Sequence, residues 1–454
     1  MRVAIIGTGY VGLTTGVCLG FLGHKVICLD SDQAKINTLR SGRTPIYEPG
    51  LEDLLALAEP NICFSSSYAE AIPGADVAFI AVGTPPLPSG SPDLSYLQAA
   101  GQSVGENLDS AFTVVVNKST VPIGSGNWME SLIRDSFEQH HGRRLNGGFA
   151  VASNPEFLRE GSALHDSLYP DRVVIGADEP RALEVLYTLY RPILDQTFRS
   201  PTFLPRPDSV GAVPLISTDL TSAELIKYAA NAFLALKISY INEIGRLAER
   251  VGADITQVAK GIGLDARIGT RFLQAGIGWG GSCFAKDTAA LISTADEYGL
   301  DMPIVQAARN INHRQRAHVI EKLLGELKIL KGRTIGLLGL AFKPHTDDLR
   351  DAPAIEIARH LIERGAKVRA HDPVALPRAR REYGDSQIVF CDEPEQVAGG
   401  ADALVLVTEW PQYRDLPWET LAAEMRTPLL LDGRQFLDRS QLTRAGFCYI
   451  GIVG

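Results

Sequence analysis

The sequence predicts an α/β protein, two doubly wound domains joined by a long central helix. Three observations predict it. Short apolar runs ending in glycine turns recur over residues 1–205 and again over 326–454. Thr218 to Val251 has helical periodicity, no proline and one glycine, Gly245, so at 1.5 Å per residue it makes a helix of about 50 Å. The helical middle, residues 214–325, is broken by one glycine-rich stretch, FLQAGIGWGGSCFAKD, Phe272 to Asp287.

The first element is a buried strand, Val3 to Ile6, followed by Gly7, Gly9 and Gly12 as G-x-G-x-x-G around Tyr10 and Val11. Leu13 to Leu22 is helical in character, and KVICLD forms a second strand ending at Asp30. Strand, glycine turn, helix, strand and an acid about 20 residues on together make the dinucleotide fingerprint of a Rossmann-like domain. Gly7 makes the turn, Gly9 admits a pyrophosphate and Gly12 lets helix and strand pack. Asp30 accepts hydrogen bonds from ribose hydroxyls and repels a 2′-phosphate, which selects NAD over NADP.

DVAFIAVGTP (Asp76 to Pro85) and FTVVVNKSTVP (Phe112 to Pro122) read as further buried strands. Ligands in open α/β sheets bind at the carboxyl ends of strands, so Val82, Gly83, Thr84 and Thr120 fall on the expected cofactor rim; plain turn and capping chemistry is the alternative for the two threonines. Ser89 to Pro92 adds to a Pro-rich loop between them. GFAVASNPEFLREGSALHD (Gly148 to Asp166) supplies a strand ending in Asn154-Pro155-Glu156. Pro155 stops that strand and sets an exposed turn, with Glu156 a candidate acid or base and a solvated loop carboxylate the plain alternative. YPDRVVIG (Tyr169 to Gly176) is another strand, and Arg199 to Val213, rich in Pro and polar residues, reads as the exit from the first domain.

The long helix is expected to be capped by Thr218 or Asp219. Lys227 and Asn231 are four residues apart and share one face. Facing a cleft, they suit an oxyanion or a sugar hydroxyl; a solvent-facing stripe is the alternative. Helical pattern continues through DITQVAKGIG and from Pro303 to Leu330. GRTIGLLGLAF (Gly332 to Phe342), AKVRAHDP (Ala366 to Pro373), DALVLVTEW (Asp402 to Trp410) and PLLLDGRQF (Pro428 to Phe436) then give the strands of the second α/β domain. Its first turn lacks G-x-G-x-x-G, so it is expected to hold something other than a dinucleotide, such as a nucleoside diphosphate.

In the glycine-rich stretch, Gly276, Gly278, Gly280 and Gly281, with Gly269 upstream, allow positive φ and close approach of backbone to a ligand. Asp287 is expected to cap the following helix, which places Cys283 in a tight loop at a helix N-terminus. The helix dipole and Lys286 both favour thiolate there. A small buried thiol is the bland alternative.

Composition narrows the function classes. The 454 residues are 45% hydrophobic and 21% charged, the balance of an ordinary globular protein, and a net charge of −9 without a Lys/Arg block argues against nucleic acid. Cys18, Cys28, Cys63, Cys283, Cys391 and Cys448 are scattered without CxxC pairs or a His/Cys cluster, so neither a metal site nor a disulfide framework is expected. Cys18, Cys28 and Cys448 lie in apolar runs and are expected in cores. No apolar run reaches the ~18 residues of a membrane span, and a reducing cytoplasm is the expected location.

A dinucleotide fold with a poised thiol suits oxidation beyond an aldehyde, because a thiohemiacetal presents a second hydride and leaves a thioester for hydrolysis. An acyltransferase or hydrolase nucleophile, or a regulatory dinucleotide-binding protein without turnover, stays open; no His lies near Cys283 in sequence. GTGYVGL, NKSTVP, NPEFLREG, YPDRVVIG, SAELIKYAANAFLALKISYINEI, FLQAGIGWGGSCFAKD and GLAFKPHTDDLRDAP span residues 7–353, with DGRQFLD near the C-terminus. On these motifs the chain resembles the UDP-glucose/GDP-mannose dehydrogenase family, and SCFAKD is similar to the form usual in its UDP-glucose-oxidising members.

The resemblance implies a four-electron oxidation of the sugar C6 alcohol to a carboxylate with two NAD, and UDP-glucose as substrate; GDP-mannose or another nucleotide sugar is the alternative. It implies Cys283 as nucleophile, Lys227 and Asn231 on the oxyanion and a catalytic water, Asp287 activating that water, and Thr120 and Glu156 assisting. It assigns NAD to Gly7, Gly9, Tyr10, Val11, Gly12, Asp30, Lys35, Val82, Gly83, Thr84, Thr120, Glu160, Lys286 and Arg350. It assigns the sugar nucleotide to Glu156, Phe157, Leu158, Arg159, Lys227, Asn231, Phe272, Gly276, Gly280, Phe342 and Lys343, with Arg267 reaching across a dimer interface. Residues 1–205 would then bind NAD, 214–325 would carry a homodimer interface, and 326–454 would bind the UDP-sugar.

Overall fold

The computed structural model describes residues 1–88, 90–145 and 148–453; Ser89 of the Pro-rich loop and Gly454 lie outside them. The chain forms two compact units, Met1–Ala230 with Ala289–Tyr298, and Asn231–Thr288 with the chain from Gly299 onward.

The first unit is built on eight strands: β1 (Arg2–Ile6), β2 (Lys25–Leu29), β3 (Ile62–Ser65), β4 (Val77–Ile80), β5 (Thr113–Asn117), β6 (Phe149–Ser153), β7 (Val173–Gly176) and β8 (Leu215–Thr218). They pair in the order β3-β2-β1-β4-β5-β6-β7-β8. All neighbours are parallel except β6 and β7. The first six positions are the doubly wound order, with the switch point between β1 and β4. Side chains alternate across the sheet, so one sequence run feeds two cores. Val3, Ile5, Phe79, Val114 and Val116 pack with Leu186, Leu189 and Ile193 of the helix Pro180–Leu194. Ala4, Ile6, Ala78, Ile80 and Val115 pack on the other face with Met129, Ile133 and Phe137 of the helix Ser125–His141. Each of the larger apolar side chains, fully buried, contributes roughly 1.5–3 kcal/mol. Strand β8 lies past residue 205, so the Pro-rich segment 199–213 leads into the last strand of this sheet instead of out of it.

The second unit holds β9 (Thr334–Leu338), β10 (Lys367–His371), β11 (Ile388–Phe390), β12 (Ala403–Leu406), β13 (Leu429–Asp432) and β14 (Cys448–Gly451), in the order β11-β10-β9-β12-β13-β14. This repeats the doubly wound order, all parallel. Its missing glycine fingerprint has a visible counterpart. Asp372, just past β10, accepts from the backbone N–H of Leu340 and Ala341 in the turn after β9, at 2.8 and 3.0 Å. Those amides are therefore already satisfied by the chain. Cys448, expected in the core, is exposed at the start of β14, an edge strand covered on one side only.

The long helix runs Leu220–Val251. Asp219 caps it, accepting from Ser222 N at 2.8 Å and from Ser222 Oγ at 2.7 Å. Helices Ile255–Gly263, Ser282–Glu297 and Pro303–Leu327 follow. Among the described residues no helix is long and apolar enough to cross a membrane, and no group of three or more His, Cys, Asp or Glu could hold a metal ion.

Candidate active site

In the first unit the turn after β1 has the shape its glycines predict. Gly12 abuts the turn so closely that a Cβ would lie 1.9 Å from the Gly7 carbonyl oxygen, whereas a Cβ on Gly9 would meet no protein atom within 4 Å. Gly9 precedes the helix Tyr10–Phe21, whose N-terminus has no side-chain cap. Open space over uncapped N–H groups of Tyr10, Val11 and Gly12 is the cradle a pyrophosphate needs. Asp30, buried at the end of β2, accepts from Thr8 N at 2.9 Å, Thr8 Oγ at 2.7 Å and Asp32 N at 3.0 Å, with Lys35 Nζ at 3.6 Å. Burial pushes this carboxyl up, but the hydrogen bonds from Asp32 and Thr8 and the Lys35 charge outweigh it and hold Asp30 below its ordinary range. It stays ionised, as an acceptor for a ribose diol must. The residues present therefore fit NAD. Thr84 Oγ1 donates to the Thr120 carbonyl at 2.9 Å, joining the turns after β4 and β5 that carry Val82, Gly83 and Thr120.

Past β6 the turn expected to be exposed is buried. Pro155 and Glu156 are both covered, because Glu156 has a partner. Lys227 Nζ donates to Glu156 Oε1 at 2.8 Å and to the Glu156 carbonyl at 2.6 Å, and Leu158 N donates to the other carboxylate oxygen at 2.8 Å. Lys227 is 4% exposed, so its helix face is no solvated stripe. Phe157 carries the Lys227 ammonium 5.4 Å from its ring centroid and the Arg172 guanidinium at 3.7 Å. Arg159 is held by Asp166 through three hydrogen bonds, one from its backbone N–H and two from its guanidinium, and Glu160 is half-buried beside it.

In the second unit Cys283 departs from the expected setting. The helix starts at Ser282, so Cys283 sits inside its first turn, exposed, and Asp287 is an interior helical residue instead of the cap. Asp287 is buried and accepts from Asn231 Nδ2 at 2.6 Å; Lys286 Nζ lies 3.1 Å from its other oxygen. The glycines before the helix are closely packed by the chain. Gly278 has φ +98°, and a Cβ there would sit 2.4 Å from Asn312 Oδ1, which instead accepts from Trp279 N at 2.8 Å. Asn312 Nδ2 and Arg316 Nη2 both donate to the Trp279 carbonyl at 2.9 Å, Trp279 Nε1 donates to Ser239, and Gly276 N to Asn242. Arg316, buried, also pairs with Asp351 and Glu356. This buried polar clasp fixes the strand of chain that leads into Cys283, and sequence periodicity gave no sign of it.

Of the other expected ligand residues, Phe342 packs on Gly281, where its ring leaves no room for a Cβ, and carries Lys343 Nζ 5.5 Å from its centroid. Gly280 is hemmed in by Asp351 and Pro353. Phe272 takes a positive φ of 65° and meets Phe284 edge-on. Arg267 and Arg350 each form a local ion pair, with Asp265 and Asp348.

A dinucleotide cradle in one unit and a thiol on a helix N-terminus in the other define an NAD-dependent dehydrogenase. The chain belongs to the UDP-glucose/GDP-mannose dehydrogenase family: residues 1–194 match the family's NAD binding domain, 221–314 its central domain and 336–439 its UDP binding domain. It is similar to UDP-glucose 6-dehydrogenase of Pseudomonas aeruginosa, 45% identical over 100% of this chain and 97% of that one, and to UDP-glucose 6-dehydrogenase TuaD of Bacillus subtilis, 42% identical over 99% and 93%. The solved UDP-glucose dehydrogenase of Pyrobaculum islandicum superimposes with a TM-score of 0.88 at 40% identity, covering 100% of this chain and 97% of that one.

Proposed function

We propose that this protein oxidises UDP-glucose to UDP-glucuronate, reducing two NAD per sugar. The observation that carries the reading is Cys283 in the first turn of a helix, within a family whose simpler need, a hydride acceptor, calls for no thiol. Similarity over the whole chain to UDP-glucose 6-dehydrogenases supports the choice of sugar nucleotide.

Bound NAD supplies the hydride acceptor for each oxidation. Gly7, Gly9, Tyr10, Val11 and Gly12 hold its pyrophosphate, Asp30 and Lys35 its adenosine ribose, and Val82, Gly83, Thr84, Thr120, Glu160, Lys286 and Arg350 the remainder. Glu156, with Thr120 orienting the C6 hydroxyl by a hydrogen bond, takes its proton as the alcohol becomes an aldehyde. Cys283 Sγ then adds to the aldehyde carbon, forming a C–S bond and an oxyanion that Lys227 and Asn231 stabilise. Loss of the second C6 hydride leaves a thioester on Cys283. Water, activated through Asp287 and Glu156, breaks the C–S bond and returns the thiol. Phe157, Leu158, Arg159, Phe272, Gly276, Gly280, Phe342 and Lys343 grip the nucleotide sugar.

The same reading assigns NAD to residues 1–205, assembly to 214–325 and UDP-sugar to 326–454. A homodimer is supported by exposed Phe233, Tyr240 and Leu247, seven residues apart along the long helix, with exposed Leu264 and Ile268 beside Arg267; Arg267 would cross to the partner's substrate. Six free cysteines suit a cytoplasmic location. Following NADH absorbance with UDP-glucose, UDP-galactose, UDP-N-acetylmannosamine and GDP-mannose side by side tests the assignment. UDP-glucose is expected to turn over fastest; faster turnover of GDP-mannose would overturn the substrate, and no NADH with any of them would overturn the reaction.

A further inference from the structure

A second lysine is buried near Lys227. Lys118 follows β5 and Asn154 follows β6, on neighbouring strands that place Asn117 opposite Ser153. Lys118 Nζ donates to Asn154 Oδ1 at 2.9 Å and to the Asn154 carbonyl at 3.3 Å. Asn154 is fully engaged: Oδ1 also accepts from Tyr190 Oη at 2.5 Å, and Nδ2 donates to the Val174 carbonyl at 2.7 Å. The carbonyl that Lys118 grips belongs to the Asn154–Pro155 peptide, one residue from Glu156, whose carboxylate and carbonyl hold Lys227. Stability alone does not call for this cation. Lys118 is 8% exposed and its hydrogen bonds go to neutral amide oxygens. An apolar side chain of the same length would avoid desolvating a charge, and Tyr190 would still satisfy the Asn154 side-chain oxygen.

We propose that Lys118 is a positioning residue for the dehydrogenase reaction: through Asn154 it fixes the turn that presents Glu156 to Lys227. It also places two ammonium groups around the single carboxylate of Glu156. The groups facing Lys118 are Glu156, Lys227 and, through Asn154, the Tyr190 phenol, which burial keeps neutral. Burial pulls Lys118 down, Glu156 pulls it up and Lys227 pulls it down again, leaving it at about 8. The Lys118 charge is therefore lost across the mildly alkaline range while an arginine in its place would keep it.

The inference rests on the proposed roles of Lys227 and Glu156. Its test compares wild type, Lys118→Met and Lys118→Arg by kcat and KM for UDP-glucose from pH 6 to 10, by thermal melting, and by crystal structures of the variants. Lys118→Met is expected to lower kcat tenfold or more, since displacements near 1 Å cost up to about a hundredfold, with KM within threefold and melting unchanged or raised. Its structure is expected to show the turn at Pro155 moved and the Glu156–Lys227 contact longer than 2.8 Å. Lys118→Arg is expected to recover most of kcat and to move the alkaline limb of the wild-type profile to higher pH. A Lys118→Met variant with wild-type kcat, or one that merely melts lower at unchanged kcat, overturns the proposal. If wild type fails to oxidise UDP-glucose, the functional reading falls while the crystal structures still decide: an unmoved Glu156–Lys227 pair in Lys118→Met overturns the positioning role, and a displaced one supports it.

Discussion

Replacing Lys227 by Met separates its ion pair with Glu156 from its proposed role at the oxyanion. Its ammonium is 2.6 and 2.8 Å from two oxygens of Glu156, and both side chains are nearly fully buried. Removing the cation leaves a buried carboxylate with one backbone donor, Leu158 N, and the more distant Lys118 charge. Breaking a buried pair from one side costs about 3–5 kcal/mol, with the lower end expected because Lys118 remains. For a unit of this size that lowers the melting temperature on the order of 10 °C. Activity should suffer separately, because losing an oxyanion donor costs about 10²–10³ in kcat, with little change in KM. The double variant Lys227→Met/Glu156→Gln removes both charges, so it should regain most of the lost melting temperature and none of the lost kcat. Calorimetry and steady-state NADH assays on the three proteins read both effects. Melting of Lys227→Met within 2 °C of wild type, or a defect confined to KM, would refute the reasoning.

Three further outcomes follow from the same geometry. Asp30→Ala should narrow the preference for NAD over NADP by about tenfold or more, since the like charge opposing a 2′-phosphate is gone; equal kcat/KM with both cofactors in the unaltered protein would contradict the role of Asp30. Cys283→Ser should abolish carboxylate formation with stability within about 0.5 kcal/mol of wild type, as expected for an exposed side chain, and product analysis reads it directly. Glu224 caps the helix Ser125–His141 by accepting from Gly124 N and Gly126 N; burial raises its carboxyl to about 7, against the pull of those two hydrogen bonds. A raised acid favours the folded state below its unfolded value, and that contribution is lost as pH rises from about 4.5 to 7. Denaturant titrations should show this slope in wild type and its absence in Glu224→Gln.

The fold was legible where strands are central and closed where they are edges. β1, β4, β5, β6, β9, β12 and β13 read as apolar runs because helices or loops cover both faces. The strands missed in sequence, β3, β8, β11 and β14, are the four sheet edges. Their mixed residues, such as Leu215-Ile216-Ser217-Thr218 with two exposed positions, carry neither a continuous run nor a clean alternation. The candidate site divides similarly. Gly9, Asp30, Lys227 and Cys283 stand in motifs whose spacing implies their chemistry. Lys118 stands in NKSTVP, but its spacing there implies no chemistry, and Asn312 and Arg316 lie in RNINHRQR, a polar stretch of helix in which both are nonetheless buried. Their partners, the Trp279 carbonyl and Asp351, are distant in sequence, and only the tertiary fold brings them together.

The central claim is that one thiol holds the sugar through the second oxidation, from aldehyde to acid. The measurement that tests it most directly counts NADH and UDP-glucuronate in the same reaction, started with limiting UDP-glucose and run to completion. Two NADH per sugar with no free aldehyde trapped by an added amine or hydrazine, and no UDP-glucuronate from Cys283→Ser beyond background, is the predicted result. One NADH per sugar with aldehyde accumulating, or two NADH per sugar from Cys283→Ser at the wild-type rate, would contradict it.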